Sequence, residues 1–150
     1  MYHYFVKKII HRNFEALNRG DYESVLKTVS KKITHTFAGN HAIGGTRHSV
    51  ESMRLWFKRL YIITPHIHFT IKNIAISGNP WNTTIAIEWE DKARPANGEP
   101  YLNEGVHIIK MRWGKAFYIH GYFDTQVFID LCERLASIGI SEAIEMPIVD

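Results

Sequence analysis

The sequence holds a single cysteine, Cys132, so it forms no intramolecular disulfide and no cysteine-rich metal site. No apolar run approaches the roughly 18 residues that a membrane-spanning helix needs. The start, Met1-Tyr2-His3-Tyr4-Phe5-Val6-Lys7-Lys8, lacks the basic-then-apolar order and small-residue cleavage site of a secretory leader. Internal repeats, low-complexity tracts and inter-domain linkers are also missing. Charge of one sign is scarce: 18 Lys and Arg against 15 Asp and Glu leave +3, too little to argue for nucleic acid. What remains is 150 residues that are 45% hydrophobic. That is one domain, residues 1–150, long enough to bury about 70% of its unfolded surface. A cytoplasmic location, no metal, no organic cofactor, no nucleic-acid partner and no membrane partner are the expectations.

The first segment has helical period. Val6, Ile9, Ile10, Asn13 and Leu17 recur at three- and four-residue steps along one face. Gly20 stands where a helix C-cap is wanted, and Asp21 is placed to cap a second helix carrying Tyr22, Val25, Leu26 and Val29. Lys32 to Phe37 reads as a strand, and the glycine-rich stretch 38–45 as irregular. Ser49 is placed to cap a third helix with Met53, Trp56, Phe57 and Leu60, which Pro65 follows. Beyond Pro65 the period becomes two. Ile67, Phe69 and Ile71 form one strand face, and Ser77-Gly78-Asn79-Pro80 a turn. Thr83 to Glu90 follows, with Ile85, Ile87 and Trp89 on one side and Glu88 and Glu90 on the other. Residues 95–100 form a loop, Tyr101 to Met111 a long strand, Trp113-Gly114-Lys115 a hairpin, and Ala116 to Phe123 the last strand. Asp124 opens a C-terminal helix with Val127, Phe128, Leu131 and Leu135. The class is α+β: three helices packed in a curved antiparallel sheet, with a further helix at the C-terminus.

Several segments resemble a known family. Asn13-Phe14-Glu15-Ala16-Leu17-Asn18-Arg19-Gly20-Asp21 is similar to the A-L-N-x-G-D that ends the first helix of nuclear transport factor 2-like (NTF2-like) proteins. His35-Thr36-Phe37-Ala38-Gly39-Asn40 with Ile43-Gly44-Gly45 resembles the G-N-x-x-x-G-G crossover of the SnoaL-like branch. Trp113-Gly114-Lys115 with Tyr122-Phe123-Asp124 is similar to its last hairpin. The resemblance implies a cone-shaped α+β barrel, usually dimeric, with a pocket between sheet and helices. That cone serves isomerases, epoxide hydrolases, polyketide cyclases and non-catalytic binders, so the fold leaves the function open.

The resemblance also allows chemistries to be tested position by position. Ketosteroid isomerases of this fold use a tyrosine and two aspartic acids; their positions fall at Asn13, near Thr36 and at His107. None of the three is kept, and threonine cannot take a proton at neutral pH. The epoxide hydrolase aspartate falls at Gly121, and Glu88-Trp89-Glu90 offers acids only on the outward side. Both activities are disfavoured. Cyclases of the SnoaL type need one acid or base, and Asp124 is so placed, although an aspartate just before a helix is also an ordinary N-cap.

Strand parity sets Tyr101, Asn103, Gly105, His107, Ile109 and Met111 on one face, directed into the cone. His107 there is either a general acid or base with a pKa near neutrality or a buried histidine bonded to Asn13 or Asn103. Candidate ligand contacts are Asn13, Thr36, Trp56, Trp89, Tyr101, Asn103 and Phe123. His66-x-His68 offers two imidazoles without a third ligand, short of a zinc site. Tyr118, His120 and Tyr122 line the outer face of the last strand, a surface suited to a homodimer. Two functional readings follow. In one, a small apolar carbonyl-type molecule sits in the cone, with cofactor-independent proton transfer of the isomerase or cyclase type by His107 and Asp124. In the other, the chain is a non-enzymatic binding or dimerisation module with a filled core. A cavity of roughly 300 Å3 reaching His107 separates them.

Overall fold

The computed structural model describes all 150 residues. Helices α1 (Tyr2–Asn18) and α2 (Tyr22–Leu26) lead into strands β1 (Val29–Phe37) and β2 (Gly45–Arg47). Helix α3 (Val50–Ile63) precedes β3 (His68–Asn79), β4 (Asn82–Ala93), β5 (Tyr101–Arg112) and β6 (Lys115–Phe123). Helix α4 (Thr125–Ser137) and a single 3-10 turn (Ser141–Ile144) complete the chain. The six strands form one curved sheet in the order β2-β1-β6-β5-β4-β3. The expected caps form: Asp21 accepts from the Ser24 N–H, Ser49 from Ser52 and Asp124 from Val127.

Four details differ from the sequence expectation, each for a local reason. The second helix stops at Leu26, because the Thr28 hydroxyl donates to the Val25 carbonyl and β-branched Val29 enters the sheet opposite Ala116. The sheet is mixed, since β1 runs parallel to β6; most of the chain separates these strands, so no hairpin forces them antiparallel. Part of the glycine-rich stretch pairs as β2, with Gly45 opposite Phe37. The turn expected at Ser77–Pro80 tightens to Pro80 and Trp81, and Gly78 lies where a Cβ would meet the Asn82 carbonyl oxygen.

A bulge between Ile71 and Asn73 resets the alternation, so that Ile74 and Ile76 oppose Ile87 and Ile85 on the inner face. That face carries Ile33, His35 and Phe37 from β1, Ile85, Ile87 and Trp89 from β4, and Tyr101 and Met111 from β5, all buried. Val6, Ile10 and Phe14 of α1 and Met53, Trp56, Phe57 and Leu60 of α3 close over it, within one cluster of 30 buried apolar residues.

Two glycines on the inner face make room for aromatic rings. A Cβ on Gly121 would lie 2.5–2.9 Å from the Phe37 ring, and one on Gly105 would lie 2.7 Å from the Trp89 indole. Rings therefore cross strands where a side chain would otherwise stand. Gly121→Ala should force Phe37 out of place and cost about 1–3 kcal/mol as an overpacked core, read as a lower urea midpoint with the slope unchanged; an unaltered midpoint would show that the ring moves freely.

Candidate functional site

Between the inner sheet face and helices α1 and α3 lies a cavity of about 100 Å3. It is several times what one water molecule needs, yet smaller than the volume expected for a drug-sized ligand. Its wall is mostly apolar, and the polar groups that reach it come from a few positions: Asn13, Thr28, His35, Thr64, Asp91, Tyr101 and His107.

The two histidines share one arrangement. The Trp89 Nε1–H donates to His107 Nδ1 at 2.6 Å, and the Arg47 Nε–H donates to His35 Nδ1 at 2.9 Å. A nitrogen that accepts has no proton, so each neutral ring carries its hydrogen on Nε2. Neither Nε2 has a partner within the chain. Burial pushes the His107 pKa down to about 4, helped by His120, and holds His35 well below its ordinary value, helped by Arg47. Both rings are therefore neutral hydrogen-bond donors at physiological pH. The Phe37 ring stands between them, 5.8 Å from His35 and 5.4 Å from His107, centroid to centroid.

Arg47 is 0% exposed. Its guanidinium donates to the carbonyls of Gly44, Gly45 and Ile148 as well as to His35, and it lies 5.5 Å from the Trp56 ring. Burial lowers its pKa to about 10, which still leaves it charged at neutral pH. Among the ion pairs of the structure none involves Arg47. A cation with neutral partners thus sits directly behind His35 and polarises its Nε2–H.

Asp91 has the inward parity of Ile87 and Trp89 on β4. It is 7% exposed, and its buried Oδ1 has no hydrogen-bond partner. Burial pushes its carboxyl up to about 7, the backbone N–H of Asn103 opposing in part. A carboxyl that exchanges its proton near neutrality, against an apolar cavity, has the properties of a general acid or base.

The expected ligand contacts divide. Asn13, Trp56, Trp89, Tyr101 and Phe123 line the cavity with His107. Thr36 does not: alternation along β1 directs His35 and Phe37 inward and Thr36 outward, where its hydroxyl meets that of Thr46 at 2.9 Å. Asn103 is buried outside the cavity, donating to the Tyr101 hydroxyl and the Asp124 carbonyl. Asp124 caps α4 through the Val127 N–H, away from the cavity. With Asp91 these two residues border a second, more open groove between β4, β5 and α4.

His107 also departs from expectation. Its partner is Trp89, while the Asn13 amide donates to Thr28 Oγ1 at 3.1 Å. Its pKa lies well below neutrality, and its one acceptor nitrogen is occupied, so it is no base. His66 and His68 are both exposed, and no group of three metal-ligating side chains occurs. Asp91 lies one residue beyond Glu90 and His35 one residue before Thr36, each on the inward parity of its strand, β4 and β1 respectively.

Comparison with known proteins supplies a context for this geometry. Residues 10–119 match the family model described as a SnoaL-like domain. An NTF2-like protein of unknown function from Burkholderia pseudomallei is 20% identical, with a TM-score of 0.75 over 83% of this chain and 95% of that one. PrhC from Penicillium brasilianum is 20% identical, with a TM-score of 0.76 over 89% of each chain. TerC, co-crystallised with polyporic acid, is 18% identical, with a TM-score of 0.73 over 84% of this chain and 96% of that one. Identities this low establish a shared fold. No curated protein shows significant sequence similarity to the chain.

The buried groups give a pH signature of known sign. Asp91, raised from 3.8 to about 7, contributes stability that is complete below about pH 3.8 and is lost as pH climbs to about 7. His107, depressed from 6.5 to about 4, contributes stability that is complete above pH 6.5 and is lost as pH falls through about 4. Asp91→Asn removes the first effect alone. The unfolding free energy of the variant relative to the natural protein should therefore improve between about pH 4 and 7, by at most about 1.4 kcal/mol per unit, and level off above. A pH-independent difference in urea titrations would mean that Asp91 ionises as if in water.

Proposed function

The chain belongs to the SnoaL-like domain family, and from that premise we propose that it binds a small, mostly apolar carbonyl compound in the cone and moves a proton at the carbon beside the carbonyl. The observation that carries this reading is Asp91, a buried carboxyl with an unpartnered oxygen on a mostly apolar wall. Such an oxygen is costly to leave unbonded unless something visits it. In this reading Asp91 takes the proton from carbon as a carboxylate and returns it as the acid. The developing enolate oxygen accepts from the Nε2–H of His107, with the Nε2–H of His35 as a second donor backed by the Arg47 charge. His107 thereby keeps a catalytic role, as donor rather than base, while Asp91 replaces Asp124. Asn13 and Tyr101 border the ligand, and Trp56, Trp89 and Phe123 supply apolar wall. No cofactor takes part in these steps.

The cavity volume bears on the alternative. At about 100 Å3 the cavity reaches His107 but falls short of roughly 300 Å3, so the cone accepts only a compact molecule without side-chain movement, and its volume favours the filled-core module. Saturation-transfer NMR with cyclohexanone, cyclopentenone and acetophenone, together with deuterium uptake at their α-carbons, separates the two. Proton transfer predicts binding and catalysed exchange that falls about 10²–10⁴-fold in Asp91→Asn. Binding with exchange at the buffer rate would establish the binding module, and no binding would remove the carbonyl ligand altogether.

The outer sheet face supports a homodimer. The His120 and Tyr122 rings stack 4.0 Å apart and nearly parallel, and Tyr118 lies beside His120. Val106 and Ile108 of β5 stand opposite Tyr122 and His120 on the same face. Sedimentation analysis should give a dimer that Val106→Asp with Tyr122→Asp converts to monomer; a natural protein that sediments as a monomer at micromolar concentration would exclude this interface.

A further inference from the structure

One end of the molecule gathers exposed aromatic rings among unpaired cations. The start of α1 meets the β3–β4 turn, with the Tyr2 hydroxyl against Thr83 Oγ1 and His3 Nε2 against the Gly78 carbonyl at 2.9 Å. That turn meets the β5–β6 hairpin, whose Trp113 N–H donates to the Pro80 carbonyl at 2.7 Å. Tyr4, Phe5, Trp81 and Trp113 each leave more than half of their surface in solvent, and the two indoles lie 6.1 Å apart. Trp113 holds a φ of 50°, a backbone conformation that bulky residues rarely adopt. Glycine or asparagine is the ordinary occupant of such a hairpin tip. Presenting an indole outward from a strained turn is a feature that folding does not require.

The charge of this end is of one sign. Residues 1–14, 77–84 and 110–117 contain no Asp or Glu. Lys7, Lys8, Arg112 and Lys115 are exposed there, and Lys27 adjoins through the contact of its carbonyl with Lys115 Nζ. None of the five is in an ion pair, as is also true of Lys31, Lys32, Lys58, Lys92 and Arg94 elsewhere; what sets this end apart is that its three segments hold no acid. The Lys8 ammonium lies over Tyr4 and the Arg112 guanidinium over Phe117.

We propose that this end is a docking surface for an anionic lipid bilayer, with Trp81 and Trp113 seated at the headgroup level and the lysines and arginine against acidic headgroups. Tryptophan favours that depth because its ring is apolar and its N–H is polar. Unpaired cations within a Debye length of an anionic surface add the electrostatic attraction. A single-stranded nucleic acid is the lesser fit, since the rings project from hairpin tips and a helix start rather than lining a groove that could track a backbone. The sequence expectation of no membrane partner rested on the lack of a spanning segment. No helix here is long and apolar enough to cross a membrane, but lying on one needs no such helix. The docking proposal itself does not depend on what the cone holds.

Vesicle co-sedimentation tests it, using phosphatidylcholine alone and phosphatidylcholine with about a third phosphatidylserine, with tryptophan emission recorded in parallel. The natural protein should pellet with the anionic vesicles at least about tenfold more strongly than with the neutral ones. Its emission should shift to the blue, and high salt should release it. Trp81→Ser with Trp113→Asn, both exposed and so compatible with a native circular-dichroism spectrum, should abolish the blue shift and most of the binding. Arg112→Ala with Lys115→Ala should weaken binding about fivefold per cation. Arg94→Glu, at the far end of the β4 strand some 40 Å away, should leave it unchanged. Absence of binding, equal binding to neutral vesicles, retention by the double tryptophan variant, or an equal loss in Arg94→Glu would each overturn the proposal. Tighter binding of a single-stranded oligonucleotide, lost in the same variants, would overturn it in favour of nucleic acid.

Discussion

Trp89 and His107 meet in the middle of the inner sheet face, and the 2.6 Å bond between them orders most of what surrounds it. For the indole to reach across β5, the residue opposite Trp89 must lack a side chain, and it is Gly105. For the imidazole to stay upright it needs packing on its other side, which Phe37 provides by lying across Gly121. A single acceptor bond then fixes the tautomer of His107, a residue of the cavity wall, and leaves its remaining N–H without a partner in the chain. Pairs of aromatic rings and glycines on neighbouring strands thus replace the ordinary large-against-large packing of a sheet core.

The interior also holds two ionisable groups that such a core does not need. Arg47 is kept charged by neutral acceptors, mainly backbone carbonyls, and Asp91 escapes its desolvation by holding a proton until about neutral pH. Each arrangement is poor for stability taken alone, since a buried charge bonded only to neutral groups, with Asp150 as its nearby counter-charge, and a buried oxygen without a donor both cost free energy. Asp91 lines the cavity itself, and Arg47 stands behind His35, which lines it too. A ligand that gains negative charge on oxygen would be met by the donors on the Arg47 side, and the proton it loses would be met by Asp91.

The last residues of the chain take part in this arrangement. Arg47 donates to the Ile148 carbonyl, Arg59 pairs with Glu145 and donates to the Met146 carbonyl, and the Asp150 carboxylate accepts from the His48 N–H and the Ser49 hydroxyl. The segment after α4 is therefore a strap that satisfies the buried guanidinium and, through Ser49, the start of α3. The far end of the sheet has no comparable covering: its hairpin tips carry the exposed indoles and unpaired cations.

Sequence periodicity with cap residue types was enough for the α+β class, the helix caps at Asp21, Ser49 and Asp124 and the inner face of β5, while the NTF2-like resemblance came from matched motif residues such as Asn18-Arg19-Gly20-Asp21 and Tyr122-Phe123-Asp124. Class, caps and face depend on spacing within one element, and the spacing of apolar residues reports which side of a helix or strand is buried. Choosing His107 as a pocket residue was legible in the same way. Its role was not, because the tautomer and pKa of an imidazole depend on a partner eighteen residues away, Trp89, and on how far water is excluded. Thr36 was misplaced because counting by family position carries an error of one residue, and in a strand one residue exchanges the two faces. Strand parity marks Asp91 as inward, but its burial and missing partner, like the burial of Arg47, became visible only once the sheet had closed. The parallel pairing of β1 with β6 likewise joins segments far apart in the chain. Local pattern determines what each element is, while long-range packing decides which of its polar groups meet and in what protonation state.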